Sequence, residues 1–380
     1  MADKAVRTDV VIFGTGPAGA AAAIFLLLRG VSVVLIERAP RAVDMGTPGC
    51  LRTLGSASRS YLPVGESLSP AAGLLLRQLG VWEAFCRGPH LPWSGNLSYW
   101  GSAKPQYTDF IRHPYGAGWH IDRAWFNRLL LDRAVALGAR VYRLGGVFEL
   151  EEINSGWSVI SPAARFEASF LIDASGAAHV LSRKMGVARI KTHDQLALTA
   201  FWQADGRADD GQSLIESVAD GWWYTAAIPG DRRVVCYFTS TSGGVVRALK
   251  PEGWMRLLKQ TRFIAGRVFG SGGLWLAPPR FTDASSSYSE RLFGNRWVAV
   301  GDAACRYDPL TAHGLMMAMT SARDAAAAIP DGLGSAGERL AEYANRMEDL
   351  FLHAERECRV LYEQAHHRLP ADERSASQRC

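Results

Sequence analysis

The stretch TDVVIFGTGPAGAAAAIFLLLRGVSVVLIER, residues 8–38, decides the fold. An apolar run gives way to a glycine turn and then to a helical pattern. It predicts a strand over 9–13, a tight turn, a helix over 18–29 stopped by Gly30, and a second strand over 32–37. Gly14 permits the turn, Gly16 lets the backbone approach a pyrophosphate, and Gly19 lets the helix lie close against the strand. Pro17 opens the helix where no amide donor is missed, and the helix start at Ala18 points at the phosphates. Glu37, with Arg38 beside it, ends the second strand, where a carboxylate accepts hydrogen bonds from ribose hydroxyls and repels a 2′-phosphate.

Composition sets the outer limits. A chain of 380 residues, 48% hydrophobic and 21% charged, can bury one large core or two connected ones. The formal charge of +5 is spread without blocks of like sign, so nucleic acid is not indicated as a partner. Cys50, Cys86, Cys236, Cys305, Cys358 and Cys380 form no close pair or metal-type spacing, which suits a reducing compartment and indicates no metal. The most apolar run, residues 20–28, is too short to cross a bilayer. The expectation is a cytoplasmic chain with no stable membrane insertion.

The first segment alone does not separate FAD from NAD, and two later elements bear on the choice. ASFLIDASG predicts a strand over 168–172 ending at Asp173, with a turn through Gly176 suited to close backbone approach. RWVAVGDAACRYDPLTAHGLMMAMTSARDAA predicts a strand over 296–300, then Asp302, a loop with Pro309, and a helix from about residue 314. Asp302 is placed to bind ribityl hydroxyls, and the amides of Gly314 and Leu315 offer a positive helix end to a flavin pyrimidine. Together these elements resemble the FAD-binding domain of aromatic-ring hydroxylases and flavin-dependent halogenases, with a p-hydroxybenzoate hydroxylase-like fold. The resemblance runs from about residue 8 to 328 and implies that Asp302 contacts the ribityl chain and Pro309 lies near the isoalloxazine.

The implied fold class is α/β. A discontinuous Rossmann-type FAD-binding domain (5–185 and 280–330) carries an inserted antiparallel substrate domain (186–279 with parts of 60–115), a C-terminal helix (331–370) and a loose tail (371–380). Arg123 starts an amphipathic helix closed by Gly138, and the resemblance lets it reach the flavin nucleotide. RVYRLGGVFELEE, WSVISP and RFEASFLID are expected to form a meander back into the sheet. QLALTAFWQA, SLIESVADGWWYTAAIP and RRVVCYFTST are expected as long strands over the flavin. Leu340, Tyr343, Met347, Leu350, Phe351, Cys358, Leu361 and Tyr362 recur at helical spacing, as in a packing helix.

Tryptophan halogenases carry W-x-W-x-I-P and a lysine that passes the activated halogen on. Alignment on Ile228-Pro229 puts Tyr224 and Ala226 at the two tryptophan positions, and the only nearby lysine is the loop residue Lys104. GESLSP, YWGS, HPYGAGWHIDR, DGWWYTAAIP and GDAACRYDPLTAHG look more like FAD-dependent hydroxylases that oxidise tryptophan in precursors of tryptophylquinone amine and amino-acid oxidases. The chain departs from that pattern at Thr311-Ala312-His313 and in its C-terminal tail.

The resemblance implies a monooxygenase acting through a flavin C4a-hydroperoxide on an aromatic small molecule or a precursor polypeptide. Electrons would come from NAD(P)H or a partner flavin reductase. Trp222, Trp223 and Tyr224 offer an aromatic wall, although strand alternation puts Trp223 on the face opposite the other two. His313 and Glu66 are candidate acid–base groups, and His120 is a weaker candidate beside the substrate. A halogenase, a flavoprotein dehydrogenase or reductase, and a binding protein that keeps FAD for structure remain the alternatives.

Overall fold

The computed structural model describes residues 5–38, 64–145, 148–206, 211–241, 251–330 and 337–368. The expected tail, Cys50 and Cys380 lie outside them. The strand Val6–Phe13 lies inside an eight-stranded sheet, parallel to Val33–Arg38 on one side and to Arg165–Asp173 on the other. The chain leaves this strand for one neighbour and later returns to the other. The carboxyl ends therefore diverge and leave a crevice at Gly14. Trp297–Ala299 extends the sheet in parallel beyond Arg165–Asp173.

The helix Pro17–Leu27 packs on Arg123–Ala136 and Gly314–Ala328. It is apolar all round, as a largely enclosed helix must be, and Ala20, Ala21, Ala22, Ala23, Ile24 and Leu26 are all buried. Its alanines allow close approach, while burial of Ile24 and Leu26 stabilises the fold by about 1.5–3 kcal/mol each.

A second eight-stranded sheet is built on Leu196–Gln203, Arg232–Thr239, Gly221–Ile228 and Gln212–Val218, which pair in that order antiparallel. Gly95–Tyr99 then pairs with Gln212–Val218 in parallel, an exception to the expected all-antiparallel sheet. One face packs Trp202, Trp223 and Tyr237 with Trp254 from the helix Pro251–Gln260. The other carries Trp222, Ala226, Val234, Cys236 and Phe238.

Two expected runs are divided. SLIESVADGWWYTAAIP turns before Gly221, whose φ of +151° and close approach to Phe238 O leave no room for a side chain. RVYRLGGVFELEE separates into Arg140–Leu144, parallel to Val33–Arg38, and Glu149–Ile153, antiparallel to Gly156–Ile160. Only the second piece belongs to the expected meander.

The helix Gly337–Arg368 packs on the helix Gly314–Ala328. Leu340, Tyr343, Met347, Phe351 and Cys358 are buried, and Tyr343 Oη donates to Ala299 O at 2.8 Å. Leu350 and Leu361, expected on the packing face, are exposed. Among the described residues no helix is long and apolar enough to cross a membrane, and no group of His, Cys, Asp and Glu could hold a metal ion.

Candidate functional site

The glycine turn is fixed by its own backbone. Gly14 has φ +110°, its amide donates to Ile36 O at 2.8 Å, and a Cβ there would lie 2.3 Å from Ala174 O. At Gly19 a Cβ would lie 2.0 Å from Gly14 O. Gly16 differs: a Cβ there would meet nothing within 4 Å. The protein leaves that space open, and Gly16, Pro17 and Ala18 border a cleft of about 570 Å³. Gly16 is the helix N-cap, without a side-chain cap or an acidic residue in the first turn. The positive helix end therefore opens on the cleft.

Glu37 braces this turn. Its Oε2 accepts from Thr15 N at 3.0 Å and from Thr15 Oγ1, and its Oε1 accepts from Arg38 N at 3.0 Å. Arg38 is exposed at the end of a described segment. Neither side chain borders the cleft.

The DASG element enters by backbone, through Ala174 and Gly176. Asp173 itself is fully buried and accepts from Ser175 N and Oγ at 3.1 and 2.5 Å and from Ser182 N and Oγ at 2.7 and 2.8 Å. Its carboxylate ties the turn to the helix Val180–Lys184 and faces away from the cleft. Asp173, expected in a turn suited to close backbone approach, thus holds the turn whose backbone borders the cleft.

Asp302 borders the cleft on the turn Gly301–Ala303. Gly301 has φ +59°, and a Cβ there would strike Ala18 Cβ at 2.7 Å, so the two turns touch. Arg189 Nη1 holds Ala303 O at 2.9 Å. Burial raises the Asp302 carboxyl, against the pull of Arg306, Arg123 and Arg189. No hydrogen bond joins its carboxyl to any of the described residues. Pro309, His313, Gly314 and Leu315 border the same cleft. Partial desolvation lowers the His313 imidazole, opposed by Glu357. Ala312, just before it, sits in the left-handed region at φ +52°.

The cleft also holds a polar pair beside aromatic side chains. Tyr224 Oη donates to Glu66 Oε1 at 2.5 Å and lies 3.0 Å from Ser67 Oγ. Gly65 N donates to Glu66 Oε2 at 3.2 Å. Burial pushes the Glu66 carboxyl up, and burial together with the carboxylate beside it pushes the Tyr224 phenol up. Arg123 Nη1 holds Gly65 O at 2.8 Å and borders the cleft. Trp222 stacks on Phe238 with centroids 4.0 Å apart, and both face the cleft.

Trp223 points the other way, into a second cavity of about 620 Å³ behind the sheet, so it stands apart from Trp222 and Tyr224. His120 is also outside the main cleft, buried and stacked on Trp93. Thr199, Cys236, Phe238 and Asp308 line the main cleft without having been singled out from sequence. Two-residue alternation along QLALTAFWQA and RRVVCYFTST carried the signal for the first three.

The chemistry of this cleft fits FAD. An open backbone site lies at a positive helix end, a carboxylate able to accept from hydroxyls lies beyond it, and a second helix start follows at Gly314. A family model described as an FAD binding domain matches residues 7–349. LodB of Marinomonas mediterranea, named as an FAD-dependent oxidoreductase, is 30% identical over 328 residues, covering 83% of this chain and 82% of LodB. A tryptophan 2-halogenase of Chondromyces crocatus is 26% identical over 344 residues, 85% of this chain but only 61% of that protein. The structure of QhpG, a peptidyl tryptophan dihydroxylase, superposes with a TM-score of 0.72 at 22% identity, covering 98% of this chain and 79% of QhpG, which shows the shared fold. The chain belongs to the FAD-binding-domain family and is an FAD-dependent oxidoreductase.

Proposed function

We propose that the chain is a monooxygenase that hydroxylates an electron-rich aromatic ring, an indole on a free molecule or on a tryptophan of a precursor polypeptide. The observation that carries this is that one cleft is lined both by Gly16 and Asp302 and by Trp222, Tyr224 and Glu66. Similarity to LodB and to the fold of QhpG supports it.

Gly16, Arg123, Asp302, Pro309 and the helix starts at Pro17 and Gly314 would hold FAD, and bound FAD would supply the electron transfer and oxygen activation. Electrons would reach it from NAD(P)H or a partner flavin reductase. Trp222 and Phe238 offer a flat apolar surface on which an aromatic ring stacks while water is kept out. Glu66 and Tyr224 form a hydrogen-bonded pair in this dry wall. Glu66 Oε1 can accept a ring N–H, and burial shifts its carboxyl toward the protonated form. His313, at the rim, is placed to exchange protons with solvent.

Halogenation is the second reading, favoured by the halogenases among the relatives. Against it, no lysine among the described residues lines the cleft, and Lys104 is exposed beside Pro105. The test is aerobic turnover of the reduced, FAD-loaded chain on indole and tryptophyl peptides, with and without chloride or bromide. Oxygenated product regardless of halide supports hydroxylation. Product carrying halogen replaces it with the second reading.

A further inference from the structure

The helix Gly337–Arg368 looks in sequence like packing, yet one of its side chains bonds two residues that line the cleft. Tyr362 Oη donates to the Asp308 carboxylate, with contacts of 3.1 and 3.0 Å to Oδ1 and Oδ2. It accepts from Gln195 Nε2 at 3.0 Å and from Trp222 Nε1 at 3.2 Å. A phenol has one hydrogen to give and two lone pairs to fill, so this hydroxyl is saturated.

Its partners have second tasks. Trp222 is the stacking surface of the aromatic wall. Asp308 is buried and caps the turn Pro309–Thr311, its Oδ1 accepting from Leu310 N at 2.8 Å. That turn runs through Ala312 into the helix start at Gly314, on the cofactor side. Any displacement of the Trp222 indole therefore changes a hydrogen bond on the phenol that also donates to Asp308, the cap of the cofactor loop.

We propose that Tyr362 is a positioning residue that couples occupancy of the aromatic wall to the seating of FAD. The proposal rests on the function argued above. The ring of Tyr362 is held without its hydroxyl, by centroid contacts of 5.0 Å to His193 and 5.9 Å to Trp100, and Trp100 Nε1 anchors the helix at Leu361 O, 2.6 Å away. Removing the oxygen should cut the coupling while leaving the helix in place.

The measurement is the FAD dissociation constant, from flavin fluorescence quenching, with and without saturating indole as the probe. Linkage requires that indole change FAD affinity by the factor that FAD changes indole affinity. In the natural chain that factor should be about fivefold or more. In Tyr362→Phe it should fall to about one, with FAD affinity in the absence of indole within about threefold of the natural chain.

Asp308→Ala is the companion variant: it removes the acceptor of the phenol hydrogen, so it too should lose the coupling. It carries the test should Tyr362→Phe fail to fold. Retention of the factor in a folded variant of either kind overturns the proposal, as does a natural chain that binds FAD but shows no indole effect. A natural chain that binds no FAD overturns the function argued above as well.

Discussion

Replacing Gly16 by alanine separates what the glycine turn does for the fold from what it does for the ligand. The new methyl would meet no protein atom within 4 Å, and the backbone at φ −66°, ψ −177° is one that alanine adopts freely. Loss of unfolded-chain entropy would stabilise by about 0.4–1 kcal/mol, and a poorer N-cap would cost about the same. The net change should stay within about 1 kcal/mol, or about 2 °C in melting temperature for a chain of this size. The methyl would, however, stand where the pyrophosphate must approach the backbone. FAD affinity should fall at least about tenfold, roughly 1.4 kcal/mol.

Gly19→Ala is the control. Its Cβ would lie 2.0 Å from Gly14 O, so it should destabilise the apo chain by about 3 kcal/mol or more. Thermal unfolding without flavin, beside fluorescence-quenching titration with FAD, reads both quantities. A Gly16→Ala chain that binds FAD as tightly as the natural one would refute the assignment of that open space to the cofactor.

Because burial raises the Glu66 carboxyl above its ordinary 4.5, the folded chain binds more protons than the unfolded one as pH climbs from 4.5 to the raised value, so stability falls across that window. Glu66→Gln should flatten this fall in melting curves recorded against pH; an unchanged slope would show that other groups produce it. Trp222→Phe should weaken indole binding about three- to tenfold by loss of ring surface and of the N–H bond to Tyr362, whereas Trp223→Phe should cost about 1–3 kcal/mol of stability and leave indole binding within about twofold. Equal effects on binding would contradict the opposed faces. Glu216 accepts from the amides of Arg262, Phe263 and Ile264, so Glu216→Ala should cost about 3 kcal/mol or more in denaturant melts with FAD affinity unchanged.

The strand–turn–helix that opens the fold was legible because its reasons are local. A glycine turn and a Pro at the first helical position each act within a few residues of their neighbours. The opposition of Trp222 and Trp223 followed from strand alternation in the same way. The partners of Asp173 were not legible, because a carboxylate beside a turn looks alike whether it faces a ligand or two serines, and Ser182 lies nine residues on, in the helix Val180–Lys184. The pairing of Glu66 with Tyr224 and the hub at Tyr362 join residues 158 and 54 positions from their partners Tyr224 and Asp308. Contacts of that range are set by how the sheets and the last helix pack, which no window of sequence contains.

The central claim is that an aromatic ring held at the Trp222 and Tyr224 wall receives oxygen activated at the cofactor in the same cleft. Aerobic turnover under isotopically heavy dioxygen, with the FAD-loaded chain, a reductant, and indole or a tryptophyl peptide, tests it by product mass. One heavy oxygen atom in the ring is the predicted result. A ring returned unchanged, or carrying oxygen only from water, would contradict the account.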